Sequence, residues 1–490
     1  MPNRVIRKTI TGMVLENYQA GDLLQLERQT SVYDKLYHKH VPTSGFILDN
    51  EFATYKFDEN YLRSITYNSP YKDFVIENIP LELGEPTLPY KSNIRLQKNQ
   101  RVIFDKMLSS TKNQIFLNIP TATGKTVLAV NYISKIQTKT IIVCFKKKIL
   151  HQWYDTFVEK TTIDPSRIKI IDSCQYLYDI ISGDEDHNDT DIWLITQSLI
   201  TTFFNDNGWD MLPELFAFMG IGFKVIDEAH RCFGATIKIN AYTSIRTLYL
   251  SADYNQANAD IRKMFYEALK DADLLTYDAE TMNDLKHITC VQYEYNSFPR
   301  DEDIFVITNP AKKNKYHWDH FGYTKYQMKN CTVYDHLMKI IDQIIKTNMT
   351  SDSGKPYKIL ILTNMIDAVD RIYDMLKHKV KRTITRYHTR IPKEEVSKCF
   401  DGDIIISTYQ AFAEGIDITT PQIQHVISLN PVDPVTANQS AGRCRPIPDT
   451  MSYYWMLVDM GFEYCRNTET RVTNYLARSK IGKISRIDAT

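Results

Sequence analysis

Gln114-Ile115-Phe116-Leu117-Asn118-Ile119-Pro120-Thr121-Ala122-Thr123-Gly124-Lys125-Thr126-Val127-Leu128-Ala129 is the stretch that decides how this chain is read. It opens as a short apolar run, Ile115 to Ile119, of the length of a buried strand. It then passes through small residues and resumes as a helical pattern over Val127 to Ile133. A loop between a strand's end and a helix's start aims backbone N–H groups and the positive end of the helix dipole at one point, and an anion is what that point favours. Thr121, Ala122, Thr123 and Gly124 then line a phosphate cradle, Lys125 reaches the β and γ phosphates, and the Thr126 hydroxyl ligates Mg²⁺. The strict Gly-x-x-x-x-Gly-Lys-Ser/Thr pattern fails at its first position, where Ile119 stands. The rival reading is a chance Gly-Lys-Thr before an exposed helix. The strand before it and the helix after it argue for the phosphate loop.

Downstream, Val225-Ile226-Asp227-Glu228-Ala229-His230 ends a second strand-like run in two carboxylates. Mg²⁺ prefers carboxylate and water oxygens, so Asp227 is the second candidate metal ligand, directly or through water. Glu228 is the candidate base that orients and deprotonates a water attacking the γ-phosphate. By itself the pair reads as a solvated acidic turn. Carboxylates at a strand's C-terminal end, in a chain that also carries a phosphate loop, read as the other half of a nucleotide site.

Working outward, apolar runs recur at Ile141–Cys144, Ile192–Ile195 and Phe223–Ile226, with helical patterns between several of them. They return at Ile359–Leu362, Ile404–Ser407 and His425–Leu429, with an amphipathic helix expected over Ile366–Leu376. Short apolar strands alternating with helices predict an α/β fold with parallel, doubly wound sheets, in two successive units. Pro80, Gly84, Pro86 and Pro89 mark a boundary near residue 90. The acidic stretch Asp271–Asp284 reads as a loop and places the second joint near residue 280, and Ser182–Asp191 reads as another acidic loop. The expected domains are 1–90, 91–282 and 283–490. The first is a small accessory domain that carries no assignable motif and is a candidate nucleic-acid binder.

Composition sets limits. Apolar residues make up 43% and charged residues 24%, the balance of an ordinary globular protein. The 59 basic and 59 acidic residues cancel, a mild argument against a nucleic-acid binder that still allows a local basic track. The eight cysteines form no Cys-x-x-Cys pair, which argues against a zinc site or disulfide framework and fits a reducing compartment. No apolar run approaches the ~18 residues of a membrane span, and Met1–Tyr18 has no apolar signal core. The expected location is cytoplasmic, in a bacterial or infected host cell, with the nucleus as an alternative.

Taken in order, these motifs resemble those of the superfamily 2 helicases and translocases, from about residue 94 to 460. Asp227-Glu228-Ala229-His230 resembles the box that names the DEAH group. Leu96-Gln97-Lys98-Asn99-Gln100 is similar to the family's adenine-reading segment, with Gln100 as the reader and Gln97 where an arginine is usual. Lys146 to Trp153 and Thr196-Gln197-Ser198-Leu199 resemble its strand-contacting motifs, which implies nucleic-acid contacts for Lys146, Gln152 and Thr196. Thr408-Tyr409-Gln410 through Glu414-Gly415-Ile416-Asp417 matches the motif that joins nucleotide to strand, implying a backbone contact for Thr408 and nucleotide contacts for Gly415 and Asp417. Gln439-Ser440-Ala441-Gly442-Arg443-Cys444-Arg445 resembles the arginine-finger motif, with the second arginine one residue early and Pro446 in its usual place. Either Arg443 or Arg445 is then the finger. Leu250-Ser251-Ala252-Asp253 stands where the family has Ser-Ala-Thr, and its aspartate is expected to pair with His230 or an arginine.

The resemblance implies tandem RecA-like domains, ATP and Mg²⁺, and ATP hydrolysis in the cleft between the domains. Among relatives the layout is most similar to XPB-type and phage UvsW-type DNA helicases and their viral counterparts. That favours DNA over RNA as partner. The alternatives are an RNA helicase, the motor subunit of a restriction system, and a non-catalytic ATP-binding clamp. Two basic tracts stay open. Lys146-Lys147-Lys148 reads equally as strand contact or as solvated helix start. Lys312 to Lys329 interleaves cations with Trp318 and Tyr326, and packing of those rings into a core is favoured over base stacking.

Overall fold

The computed structural model describes the whole chain except residues 1–3, 30, 35–38, 43–44, 49–51, 57–73, 78–82, 121–122, 187, 232, 253–262, 264, 267, 298–304, 309–315, 348–349, 352–353, 414–420, 448–449, 478–480 and 490. It falls into two compact units, Met1–Tyr277 and Asp278–Thr490.

The first unit is built on a seven-stranded sheet among the described residues. Its strands lie in the order Ile168–Ile171, Ile192–Thr196, Thr140–Cys144, Phe223–Asp227, Arg246–Ser251, Gln114–Asn118, Asp273–Leu275. Every pairing is parallel. A parallel sheet is covered by helices on both faces, so its inner strands must be apolar on both. That is why Thr140–Cys144, Ile192–Thr196 and Phe223–Asp227 are buried at every position and stood out as continuous apolar runs. The helix Lys125–Ile136 is buried along Leu128–Ser134, on nearly all sides, so the loop residue Gly124 leads into a packed element.

The acidic stretch 271–284 is not all loop, as its composition suggested. Asp273–Leu275 forms the edge strand beside the phosphate-loop strand, and Ala279–Asp284 is a short helix. An edge strand needs little apolar surface, and here Asp273 takes a hydrogen bond from the Ser110 hydroxyl, so acidic composition did not exclude it.

In the N-terminal region a five-stranded sheet has the order Gly45–Leu48, Phe52–Lys56, Met13–Glu16, Arg4–Lys8, Phe74–Glu77. Within the first unit it is tied to the part built on the seven-stranded sheet by Thr243, whose N–H donates to Ile10 O at 2.7 Å and whose hydroxyl donates to Thr9 O at 2.8 Å. Ile6, Met13, Leu15 and Leu26 share the apolar core of that unit.

The second unit repeats the plan. Its seven strands run Ile384–Tyr387, Ile404–Thr408, Lys358–Thr363, Ile423–Ser428, Ser452–Asp459, Ile288–Tyr295, Ile481–Asp488, again all parallel. The helix Thr332–Thr347 buries Val333, Leu337, Ile340, Ile341 and Ile344, a stripe at helical spacing. Ile366–Leu376 is helical with the bounds read from sequence. Two parallel sheets with flanking helices make the architecture α/β, tandem and RecA-like. Among the described residues no helix is long and apolar enough to cross a membrane.

Trp318 packs inward, as favoured. It lies against Phe305 (5.4 Å between ring centres) and stacks on Tyr464 at 4.4 Å and 6°. Lys312, Lys313 and Lys315 lie outside the described residues.

Candidate active site

Strand order decides what meets at the sheet's C-terminal edge. Thr140–Cys144, Phe223–Asp227, Arg246–Ser251 and Gln114–Asn118 are consecutive neighbours in the first sheet. Their ends therefore bring Lys146, Asp227, Ser251 and the phosphate loop into one row, the edge at which open α/β sheets bind ligands.

In the loop, Gly124 caps the helix with φ 91° and ψ 34°, a left-handed conformation that a side chain resists. A Cβ there would fall inside contact distance of the Gln100 amide nitrogen. Gln100 is tied on both sides: its Nε2 donates to Thr123 O at 3.0 Å, and its Oε1 accepts from Gln97 N–H at 3.0 Å. The expected adenine reader is thus bonded to the loop backbone. Thr123 in turn donates its hydroxyl to Pro120 O at 2.6 Å. Lys125 Nζ folds back on the loop's own carbonyls, Ile119 O at 3.2 Å and Pro120 O at 3.4 Å. Thr126 follows in the first turn of the helix. Thr121 and Ala122 lie outside the described residues.

Asp227 is 8% exposed. Its Oδ2 accepts from the Trp153 indole N–H at 3.0 Å and its Oδ1 from the Glu228 N–H at 3.0 Å. Burial, and then the neighbouring Glu228 carboxylate, push its carboxyl above the usual carboxylate range. The Trp153 hydrogen bond, the Lys125 charge and the Glu228 N–H pull it back. Lys125 and Asp227 therefore feel each other across the row. Glu228 has φ 50°, an uncommon conformation for a side-chain-bearing residue, and strain of this kind concentrates at functional sites. Its Oε2 is buried, accepts no hydrogen bond among the described residues, and lies 3.3 Å from His230 Nδ1. The same His230 nitrogen is 2.8 Å from the Ser251 hydroxyl. Ser251 thus shares the partner expected for Asp253, which lies outside the described residues.

The remaining candidates are placed as follows. Lys146 is the N-cap of the helix Lys147–Lys160, and Lys147 and Lys148 are exposed in its first turn. Gln152 is half-buried on that helix. Thr196 and Thr408 are buried, and their hydroxyls cap helices, accepting from Leu199 N–H at 3.3 Å and Ala411 N–H at 3.2 Å. In the second unit Arg443 and Arg445 follow the helix Pro434–Ala441, half-buried, with the Arg443 guanidinium 5.9 Å from the Phe412 ring centre. Gly415 and Asp417 lie outside the described residues. The sequence did not assign a role to Trp153 or Ser251. Both act through contacts between distant positions, and only chain packing reveals them.

The donor set fits a nucleoside triphosphate with a hard divalent cation. A glycine-tight loop opens a helix with a lysine at its start, and a buried aspartate followed by a glutamate ends a strand of the same sheet edge. Thr126 and Asp227 would hold the metal.

Residues 93–260 match the family model described as the type III restriction enzyme res subunit, and residues 335–446 match the helicase conserved C-terminal domain. No curated protein matches the chain. Among solved structures, S. cerevisiae Dbp5 bound to RNA and ADP BeF3 is similar with TM-score 0.53 at 13% identity, over 81% of this chain and 90% of that one. T4 UvsW matches at 13% identity over 99% of each chain with TM-score 0.36, and the Pyrococcus furiosus Hef helicase domain at 14% identity over 76% and 97% with TM-score 0.44. The Dbp5 likeness is one of fold.

Proposed function

We propose that this chain, whose paired domains are those of a superfamily 2 helicase, is a nucleic-acid-dependent ATPase that drives a helicase or double-strand translocase acting on DNA. The observation that carries the reading is the row at the first sheet's C-terminal edge, where the phosphate loop follows Gln114–Asn118 and the Asp227-Glu228 turn ends Phe223–Asp227, one strand apart across Arg246–Ser251.

The chemistry follows from the residues in that row. Backbone N–H groups of the loop and the N-terminus of the helix Lys125–Ile136 hold the phosphates, and the Lys125 ammonium leaves its loop carbonyls for them. Mg²⁺, which Thr126 and Asp227 would hold, would supply positive charge against the phosphate oxygens. The Glu228 carboxylate is the proposed acceptor for the proton of the attacking water. ATP and water become ADP and phosphate, with that proton on Glu228. His230 Nδ1 lies between the Glu228 carboxylate, at 3.3 Å, and the Ser251 hydroxyl, at 2.8 Å, and is placed to donate to one or the other. Arg443 and Arg445 are the proposed sources of positive charge for the transition state, on the strength of their motif.

Lys147 and Lys148 support a polyanionic partner. Cations at a helix N-terminus oppose the dipole by about 0.3–1 kcal/mol each, a cost that a phosphate backbone laid across them reverses. DNA is proposed over RNA because the motif layout resembles the DNA-directed members of the superfamily. The test is Glu228→Gln. It should keep ATP affinity and lose turnover by roughly 10²-fold or more, the scale of a lost general base. Near-normal turnover would remove Glu228 from the chemistry.

A further inference from the structure

The segment Phe145–Trp153 touches the carboxylate turn at two points. At its end, the Trp153 indole N–H donates to Asp227 Oδ2 at 3.0 Å. At its start, the Phe145 ring lies under the Arg231 guanidinium at 5.4 Å, and the Lys146 ammonium is 5.8 Å from the same ring. Trp153 is fully buried, and its ring packs by Phe157 at 6.3 Å on the same helix. Gln152, the neighbouring residue, is half-buried, while Lys147 and Lys148 are exposed at the helix start. One rigid helix therefore carries the proposed strand contacts and, one residue from Gln152, the donor that orients the proposed metal ligand.

We propose that Trp153 is a positioning residue that couples strand contact to the ATP site: its indole N–H fixes Asp227 in the orientation that receives Mg²⁺, and nucleic acid bound at the start of its helix tightens that hold. The proposal rests on the motor reading above. Its physical basis is geometric. Trp153 donates to one Asp227 oxygen and the Glu228 backbone N–H to the other, so these two bonds hold the carboxylate plane from opposite sides. Of these two donors, Trp153 belongs to the helix Lys147–Lys160. Hydrogen bonds to metal ligands from such outer partners typically change metal affinity by about 10–100-fold.

Trp153→Phe keeps an aromatic ring in the core and removes the donor. It should raise the Mg²⁺ concentration needed for half-maximal ADP binding by about 10-fold or more, with excess metal restoring binding. It should also reduce the stimulation of ATP turnover by nucleic acid. A readout independent of turnover is fluorine NMR of the wild-type chain labelled with 5-fluorotryptophan. The Trp153 signal should shift in Asp227→Asn, and in the unmutated chain on addition of a DNA duplex without nucleotide. Glu228→Gln runs alongside. If Glu228→Gln abolishes turnover while Trp153→Phe keeps wild-type Mg²⁺ dependence and stimulation, the coupling is wrong and the motor reading stands. If Glu228→Gln leaves turnover intact, the motor reading itself fails. If Trp153→Phe does not fold, the fluorine spectra decide: a Trp153 signal unmoved by DNA overturns the proposal.

Discussion

Replacing Gly124 by alanine is the smallest change that tests the phosphate loop. Gly124 sits at φ 91° and ψ 34°. Holding an alanine in a left-handed conformation costs about 1–2 kcal/mol. The new methyl also falls inside contact distance of Gln100 Nε2, so Gln100 must swing away. It then loses its bond to Thr123 O and the one from Gln97 N–H, both at 3.0 Å. Each contributes about 0.5–1.5 kcal/mol. The total is about 2–5 kcal/mol, concentrated on the segment that must be in place when nucleotide binds. At 1.4 kcal/mol per tenfold, ADP affinity should fall at least ~30-fold. Calorimetric titration of Mg-ADP into wild type, Gly124→Ala, Gln100→Ala and the double variant separates the two costs. With Gln100 shortened the clash is gone, and Gly124→Ala should then cost only the backbone share of about 1–2 kcal/mol. If Gly124→Ala binds ADP within about threefold of wild type, well inside the smallest cost given by the backbone alone, the loop is not the phosphate cradle.

Other expectations are independent of that loop. Arg443→Ala and Arg445→Ala should lower kcat more than ATP affinity, since they meet charge that develops in the transition state; steady-state kinetics with unchanged kcat in both would exclude them from catalysis. Burial, and then the Arg382 charge, push His425 down to about 3, while its Nδ1 accepts from the Trp455 indole at 3.2 Å. Its folded pKa lies below its unfolded value of ~6.5, so its contribution is complete above that pH and is lost as pH falls towards the folded value, about 2 kcal/mol by pH 5. Urea unfolding at pH 7.5 and 5 should show that loss of unfolding free energy in wild type and not in His425→Gln, and an equal loss in the two proteins would contradict it. Nucleic-acid affinity should fall steeply with salt, and Lys147→Ala with Lys148→Ala should flatten the slope of log affinity against log salt, which filter binding at several salt concentrations measures.

Much of the fold was legible because parallel strands buried on both faces must be apolar throughout. Phe223–Asp227 and Ile404–Thr408 announce themselves that way. The helix Ile366–Leu376 was legible from its stripe of Ala368, Val369, Ile372 and Leu376. Asp273–Leu275 was not, because an edge strand needs no such run and its acidic flanks read as solvent. The N-terminal strands were missed as well: four- or five-residue pieces such as Met13–Glu16 carry too little pattern to be told from loop. In the candidate site, Lys125, Asp227 and Glu228 could be proposed locally, since Lys125 opens the helix after one apolar strand and Asp227-Glu228 closes another. The Trp153–Asp227 and His230–Ser251 bonds could not, because they join positions that only the sheet order brings together. Nor did the sequence show that Thr196 and Thr408 would use their hydroxyls as helix caps.

The central claim, an ATPase driven by nucleic acid, is tested most directly by ATP turnover measured in parallel with no polymer, single-stranded DNA, duplex DNA, forked DNA and RNA, for wild type and Glu228→Gln. The account predicts turnover in wild type that rises with DNA, more with duplex or fork than with RNA, and is absent in the variant under every condition. Greater stimulation by RNA would move the substrate to RNA. Turnover indifferent to every polymer, or equal in the two proteins, would contradict the account.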